Sequence, residues 1–311
     1  MEFDSAYHAP VLVAEVVELL RGRRAVLDCT LGGGGHSSAL FAVGVENIVG
    51  IDRDPDALAA AGERLRAFGD VSRFRAVQSN YASINQVPAL DGLAFDGILL
   101  DLGISSHQID DTARGFSFRA GAPLDMRMGE DVPADAADLL NEEDETTLTS
   151  IFRDYGDEPK AGRLAREIVR RRENRPFATS DDLVGAIRAV LGARSGSAEF
   201  ARLFQAVRIA VNDELVGLAR ALPMLRDRLT PGGRLVVIAY HSGEDRLVKH
   251  TFREWSTDCI CPPKQPVCTC RGVALGDVLT RRAVIASAEE TSRNPRARSA
   301  RLRAFERSVE Q

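Results

Sequence analysis

Long apolar runs are missing from this sequence, and so is the cysteine content of a secreted scaffold. No stretch approaches the roughly 20 apolar residues that a membrane-spanning helix needs, a typical clean run being Leu235 to Tyr240. The opening Met1-Glu2-Phe3-Asp4 lacks the basic and apolar regions of a secretory leader. Five cysteines in 311 residues are odd in number and sparse, which excludes a disulfide framework and points to a reducing compartment. Internal repeats and low-complexity tracts are absent as well. A cytoplasmic protein with no membrane contact is expected. What is present is a 44% hydrophobic composition, enough for a buried core in one large or two ordinary domains.

Strong net charge is also lacking. The formal value of −5 taken alone argues against a polyanionic partner, but the average hides segregation. Glu130 to Glu145 holds eight carboxylates and no Lys or Arg. Lys160 to Arg175 holds seven basic residues against two acidic ones, and Arg281 to Arg307 holds eight arginines against three glutamates. Either basic segment alone reads as a solvated helix face. Two arginine-dominated segments together suit phosphate contacts, because the guanidinium presents a planar donor fork.

Residues 10 to 101 alternate helix and strand. Leu12, Val16, Leu19 and Leu20 share a helical stripe opened by Pro10. Strands are expected at Ala25–Thr30, Asn47–Asp52, Phe74–Val77 and Phe95–Asp101, with helices from Ser37 and over Asp56–Phe68. Short apolar strands alternating with helices specify an α/β fold, a doubly wound parallel sheet covered on both faces. From 110 to about 200 only helical spacing is found, with a Thr179 cap and a loop over Gly192–Ser197. A long helix is expected from about Glu199 to Leu222, then a strand over Leu235–Tyr240, and an antiparallel edge strand over Ser299–Phe305. The expected organisation is one domain formed by 1–109 and 206–311, interrupted by a helical insertion over 110–205.

Leu27 to His36 places four glycines, Gly32 to Gly35, between a strand and a helix, where missing Cβ atoms let a ligand approach backbone amides. The dinucleotide fingerprint needs a third glycine three residues after the second. Here Gly32-x-Gly34 leads to Ser37 and Gly33-x-Gly35 to Ser38, which counts against a nicotinamide cofactor. Asp52, at the end of strand two, is placed to accept from ribose hydroxyls, as nicotinamide cofactors and S-adenosylmethionine would both require. Taken alone, the glycines also suit a structural turn and Asp52 a surface carboxylate.

Two polar clusters follow strand ends and so belong at the carboxyl edge of the sheet: Asp101 to Gln108, and Tyr240 to Arg246. Between them lie dense loops, Gly115-Phe116-Ser117-Phe118-Arg119 and Leu124-Asp125-Met126-Arg127-Met128. Phe204, Val207, Val211 and Leu215 form a stripe suited to core. Arg208, Asn212 and Glu214 lie off it and are the better functional candidates, although exposed helix polars are the default reading of each.

The chain resembles the bacterial 16S rRNA cytosine N4-methyltransferases, the RsmH or MraW family. The resemblance runs through Gly34-Gly35-His36-Ser37, Ile51-Asp52-Arg53-Asp54, Asp96 to Gly103, Arg114 to Phe118, Leu124 to Met128, Phe204 to Ile209 with Asn212 and Glu214, His241-Ser242, and Asn294 to Ser299. One departure is Gly243, where the family has leucine. The resemblance implies a class I, Rossmann-like methyltransferase sheet. It implies that Gly34, Gly35, His36, Asp52, Tyr81, Asp101 and Gln108 contact S-adenosylmethionine. It also implies that the substrate is the N4 amine of a decoding-centre cytosine in 16S rRNA of the small ribosomal subunit, with the insertion helping to recognise RNA.

An amine target agrees with the residues themselves. Pyrimidine C5 methylation needs a cysteine nucleophile, and outside the late cluster only Cys29, inside strand one, is available. An amine attacks directly once held in line, assisted by an acceptor for its proton. Asp101 and His241 are the candidates, against a cofactor-only contact for Asp101 and a structural loop contact for His241. Cys259-x-Cys261 and Cys268-x-Cys270 offer four thiolates for a zinc site, although the usual spacing is C-x₂₋₄-C; reduced thiols or a redox-sensitive loop is the other reading, and no metal is assigned. A nicotinamide oxidoreductase and a noncatalytic RNA-binding protein remain the alternatives.

Overall fold

The computed structural model describes residues 10–66, 71–262, 265, 267 and 269–309. The chain divides into two compact units, 1–103 with 215–311, and 104–214. Among the described residues no helix is long and apolar enough to cross a membrane.

The first unit is built on seven strands: β1 (Ala25–Asp28), β2 (Asn47–Asp52), β3 (Phe74–Gln78), β4 (Phe95–Asp101), β5 (Leu229–Ala239), β6 (Gly276–Val278) and β7 (Arg301–Arg307). They lie in the order β3-β2-β1-β4-β5-β7-β6. The first five run parallel, while β7 is antiparallel to both β5 and β6. Successive side chains point to opposite faces of a strand, and here both faces are covered. Leu27, Ile98, Leu100, Leu235 and Val237 enter one core cluster, and Val26, Leu99, Val236 and Ile238 enter another. That is why the strands read as continuous apolar runs rather than alternating ones. Truncating one of these buried leucines to alanine costs about 2–5 kcal/mol. Polar side chains fix the register: the Asp96 carboxylate accepts from the Arg24 and Ala25 N–H groups, each at 2.8 Å, pinning β1 beside β4.

Helices α1 (Val13–Leu20), α2 (Gly35–Ala42) and α3 (Pro55–Arg66) separate the early strands. The first starts three residues later than the Pro10 signal suggests, because Leu12 at its N-cap takes a left-handed conformation, φ 55°. The third is described as far as Arg66; the expected extension to Phe68 lies outside the described residues.

The second unit is helical, as its spacing predicts: α4 (Ser106–Asp110), α5 (Ala136–Glu142), α6 (Glu145–Ser150), α7 (Ala161–Arg172), α8 (Ser180–Leu191) and α9 (Ser197–Val211). A π-helical turn, Ile151–Tyr155, continues α6. Leu140, Leu148, Phe152, Leu164, Ile168, Leu183, Ile187, Leu203, Phe204 and Val207 form its core. Half of the acidic block lies at the starts of helices. Asp135 and Asp138 form a capping box on α5, and Asp144 accepts from the Thr147 N–H at 2.7 Å to open α6.

Two expectations are corrected. The long helix over 199–222 is two helices, α9 and α10 (Glu214–Asp227), broken where Asp213 adopts φ 52°. The late antiparallel strand is not an edge, because β6 pairs along its outer side. Within that strand Arg303 is buried and paired bidentately with Asp245, at 2.6 and 3.1 Å, on α11 (Ser242–Trp255).

Candidate active site

The parallel strands end at one edge, and the polar residues of the first unit gather there because each follows a strand terminus. The turn after β1 carries the glycines. Gly32 and Gly34 hold φ of +50° and +73°, where a side chain is strained. A Cβ on Gly35 would lie 2.8 Å from the Pro10 ring, and one on Gly34 would press on Ala61 at 3.2 Å. Those two glycines are therefore fixed by packing. At Gly32 a Cβ would meet nothing within 4 Å, so this is where the turn leaves room for a ligand.

Buried carboxylates hold the turn. Asp28, ending β1, accepts from Ser37 Oγ on α2 at 2.7 Å, and burial lifts its pKa to about 6 against that hydrogen bond. Asp52, ending β2, accepts from Gly32 N–H at 2.8 Å and Asp54 N–H at 3.0 Å, and burial raises it above the ordinary carboxylate range. Tyr81 begins the kinked 3₁₀ segment Tyr81–Gln86 that follows β3, capped by the Asn80 side chain.

Asp101 ends β4. Its N–H donates to Thr30 Oγ at 2.6 Å, its Oδ1 accepts from the Tyr240 hydroxyl at 2.8 Å, and its Oδ2 lies 3.6 Å from His36 Nδ1. Burial raises its pKa to about 7 even though the Tyr240 hydrogen bond opposes the shift. His36 is buried, with Nε2 2.9 Å from the Val11 carbonyl, and burial lowers its pKa. A neutral ring that donates through Nε2 turns its Nδ1 lone pair toward Asp101.

His241 is the N-cap of α11. Its Nδ1 accepts from the Glu244 N–H at 3.4 Å, while Glu244, almost fully buried, reaches back to the N–H groups of Tyr240 at 2.8 Å and His241 at 3.3 Å. A Cβ on Gly243 would stand 3.1 Å from the His241 ring, so the leucine of the family pattern would require this ring to move. Tyr240 and Thr30, to which the sequence assigns no role, both clamp Asp101. The signal for each was its position directly after a strand.

In the second unit, Gln108 exchanges hydrogen bonds with Ser105: its Oε1 accepts from the Ser105 N–H at 3.0 Å. Asn212 and Glu214 are buried and Arg208 is half-buried, so none is an exposed helix polar. Arg208 and Glu214 pair bidentately at 2.8 and 3.0 Å. Asn212 accepts from Met128 N–H at 2.8 Å and donates to the Met126 carbonyl at 2.7 Å, holding the Leu124–Met128 loop around Met126, whose φ is 61°.

The strand order, with its antiparallel β7 between β5 and β6, and the glycine turn after β1 are those of a Rossmann-like methyltransferase sheet, and S-adenosylmethionine is the cofactor of that class. The chain belongs to the MraW methylase family, whose model matches residues 5–308. It is 63% identical over 299 residues to the ribosomal RNA small subunit methyltransferase H of Gemmatimonas aurantiaca, covering 96% of this chain and 95% of that one. The protein of the same description from Heliobacterium modesticaldum is 47% identical, over 97% and 98% of the two chains.

Proposed function

We propose that the chain methylates the exocyclic N4 amine of a cytosine in small-subunit ribosomal RNA, at the decoding centre, with Asp101 as proton acceptor. The relatives' description supports RNA of the small subunit as substrate. The observation that carries the chemistry is Asp101 itself: a buried carboxylate with a pKa of about 7, oriented by Thr30 and Tyr240 beside the glycine turn. A group with that pKa is half ionised at neutral pH and a far better base than an ordinary carboxylate.

S-adenosylmethionine, when bound, supplies an electrophilic methyl group. Gly32, with Gly34, Gly35 and His36 at the start of α2, would receive it; Asp52 would take its ribose, and Tyr81 and Asp101 would complete its contacts within this unit. Asp101 Oδ2 then accepts a hydrogen bond from the target amine, which frees the nitrogen lone pair from the ring, and afterwards takes the proton. The Tyr240 hydroxyl holds Oδ1, so the carboxylate presents the other oxygen in one orientation. We assign His241 to positioning, since its ring caps α11 and helps fix the Tyr240–Glu244 turn.

A covalent route through cysteine is disfavoured. Cys29 is buried in the sheet core, and burial pushes its thiol pKa well up, so it offers no thiolate. In the helical unit, Arg163, Arg166, Arg170 and Arg175 are exposed and available to phosphates.

Nucleoside mass spectrometry of 16S rRNA from cells with and without the gene tests this reading. N4-methylated cytidine is expected to fall on deletion and return with the wild-type gene but not with Asp101→Asn. An unchanged level on deletion rejects the substrate assignment.

A further inference from the structure

The loop of residues 256–275 joins α11 to β6 and contains no helix or strand among its described residues. Loops this long usually carry a function or an internal anchor. Its base is tied down. Arg271 donates to the carbonyls of Glu254 and Thr257, Ala274 N–H donates to Asp258 Oδ1 at 3.2 Å, and Leu275 N–H donates to the Trp255 carbonyl at 2.7 Å. At its far end the sulfurs of Cys259, Cys261 and Cys270 all lie within 4.8 Å of one another. Cys268 lies outside the described residues, and nothing below depends on it.

The separation of the sulfurs is informative. Cys259 Sγ and Cys270 Sγ are 3.8 Å apart, far beyond the ~2.05 Å of a disulfide. Two thiolates bound at about 2.3 Å to one tetrahedral zinc ion stand about 3.8 Å apart, the edge of that tetrahedron. The backbone is arranged to support sulfurs in this position. Ile260, between the first two cysteines, donates its N–H to Cys270 Sγ at 3.4 Å, and Thr269, beside Cys270, donates its N–H to Cys261 Sγ at 3.4 Å. Each strand of the loop thus supplies an amide to a sulfur of the other, the kind of outer contact that orients thiolate ligands and disperses their charge.

From these contacts we infer that Cys259, Cys261 and Cys270 supply three thiolates to a tetrahedral zinc(II) site, with a water in the fourth position, that fastens the loop between α11 and β6. The C-x-C spacing, too short for the usual two-ligand knuckle, is accommodated because ligands come from both strands of the loop. Binding replaces three S–H protons by the metal and releases them to solvent with no change of oxidation state, so affinity falls as pH is lowered. Cys259 is exposed and Cys261 and Cys270 are half-buried, so the ion has a way in. This inference is independent of the methyl-transfer reading.

The test uses the full chain, reduced with a phosphine and stripped of metal. Zinc is titrated against a chromophoric chelator, and cobalt(II) is added separately as a spectroscopic probe. One zinc per chain is expected, with intense visible bands and sulfur-to-cobalt charge transfer from a tetrahedral site holding three thiolates, and slower proteolysis of the 256–275 loop. The triple variant Cys259→Ser, Cys261→Ser, Cys270→Ser is expected to lose all three signals while binding S-adenosylmethionine as before. Substoichiometric zinc without cobalt bands overturns the site, as does metal binding that survives in the triple variant.

Discussion

Carboxylates in the two units are displaced in opposite directions. At the strand ends of the first unit burial dominates, raising Asp28 to about 6 and Asp101 to about 7, with Asp52 raised as well. In the helical unit, hydrogen bonds and cations dominate. Arg170 and Arg171 bring Glu167 down to about 2; Arg127 lowers Asp125 despite its burial, and backbone amides of Ala178 and Thr179 lower Asp182. The second pattern is that of groups that stabilise a fold, since ionisation and folding favour each other. The first is that of groups held at a cost to folding, which marks the site where the protein needs a base near neutral pH.

The largest break in this comparison is Asp101→Asn. Removing a positioned general base lowers the methyl-transfer rate by about 10²–10⁴-fold, read as labelled methyl incorporation at saturating cofactor; a loss smaller than tenfold shows that Asp101 is not the acceptor. Tyr240→Phe sharpens the same point. The Tyr240 hydrogen bond lowers the Asp101 pKa, so its loss moves the rising limb of the pH–rate profile from about pH 7 to higher pH. A profile that stays in place separates Tyr240 from the proton transfer.

Stability should respond to pH differently in each unit. Asp28 and Asp101 have folded pKa values above the unfolded value of 3.8, so the folded first unit holds extra protons between about pH 4 and 7. Their contribution is most favourable below pH 4 and is lost as pH rises through about 6 and 7. The lowered carboxylates act in reverse: their stabilisation is present above pH 4.5 and is lost on acidification toward pH 2. Hydrogen exchange, corrected for intrinsic rates, should therefore show better protection of β1 and β4 at pH 5 than at pH 7, with α7 and α8 unchanged. Equal responses in both units contradict the contrast. Within the helical unit, Asp135→Ala removes the α5 cap and should cost about 1 kcal/mol, measured by denaturant unfolding, without changing methyl transfer per folded molecule.

What the sequence reveals of this pattern is position more than orientation. The bounds of β2 and β4 follow from their apolar runs and the turns around them, and Asp52 and Asp101 stand at their ends. The three-residue β6 is too short to leave a periodic trace. The break between α9 and α10 depends on a left-handed Asp213 within an uninterrupted helical pattern. Arg208 and Glu214 look solvent-facing from spacing alone, because their burial depends on an ion pair across that break. The glycine turn is conspicuous, yet only the built backbone distinguishes Gly35, required by Pro10, from Gly32, which leaves open space. Chemistry near a strand end is legible because topology places it; a clamp such as Thr30 on Asp101 is a product of tertiary structure.

The smallest effect on folding is expected at the surface of α7, and it tests what the lowered carboxylates leave available. Arg170 pairs with Glu167 at 2.8 Å, but its side chain is 63% exposed, and exposed pairs contribute little because solvent screens them and two long side chains must be ordered. Glu167 also keeps Arg171 at 2.7 Å, so losing one partner does not strand it. Arg170→Ala should leave the thermal midpoint essentially unchanged. Its guanidinium is held so weakly that a phosphate can take it over at little expense. If this face grips RNA, the substitution weakens binding across sequences and reduces the salt dependence by about one phosphate contact, whereas Asp101→Asn leaves that slope intact. A slope unaltered by removing Arg163, Arg166 and Arg170 together assigns this basic block to folding alone and moves the phosphate contacts to the exposed arginines of the C-terminal segment.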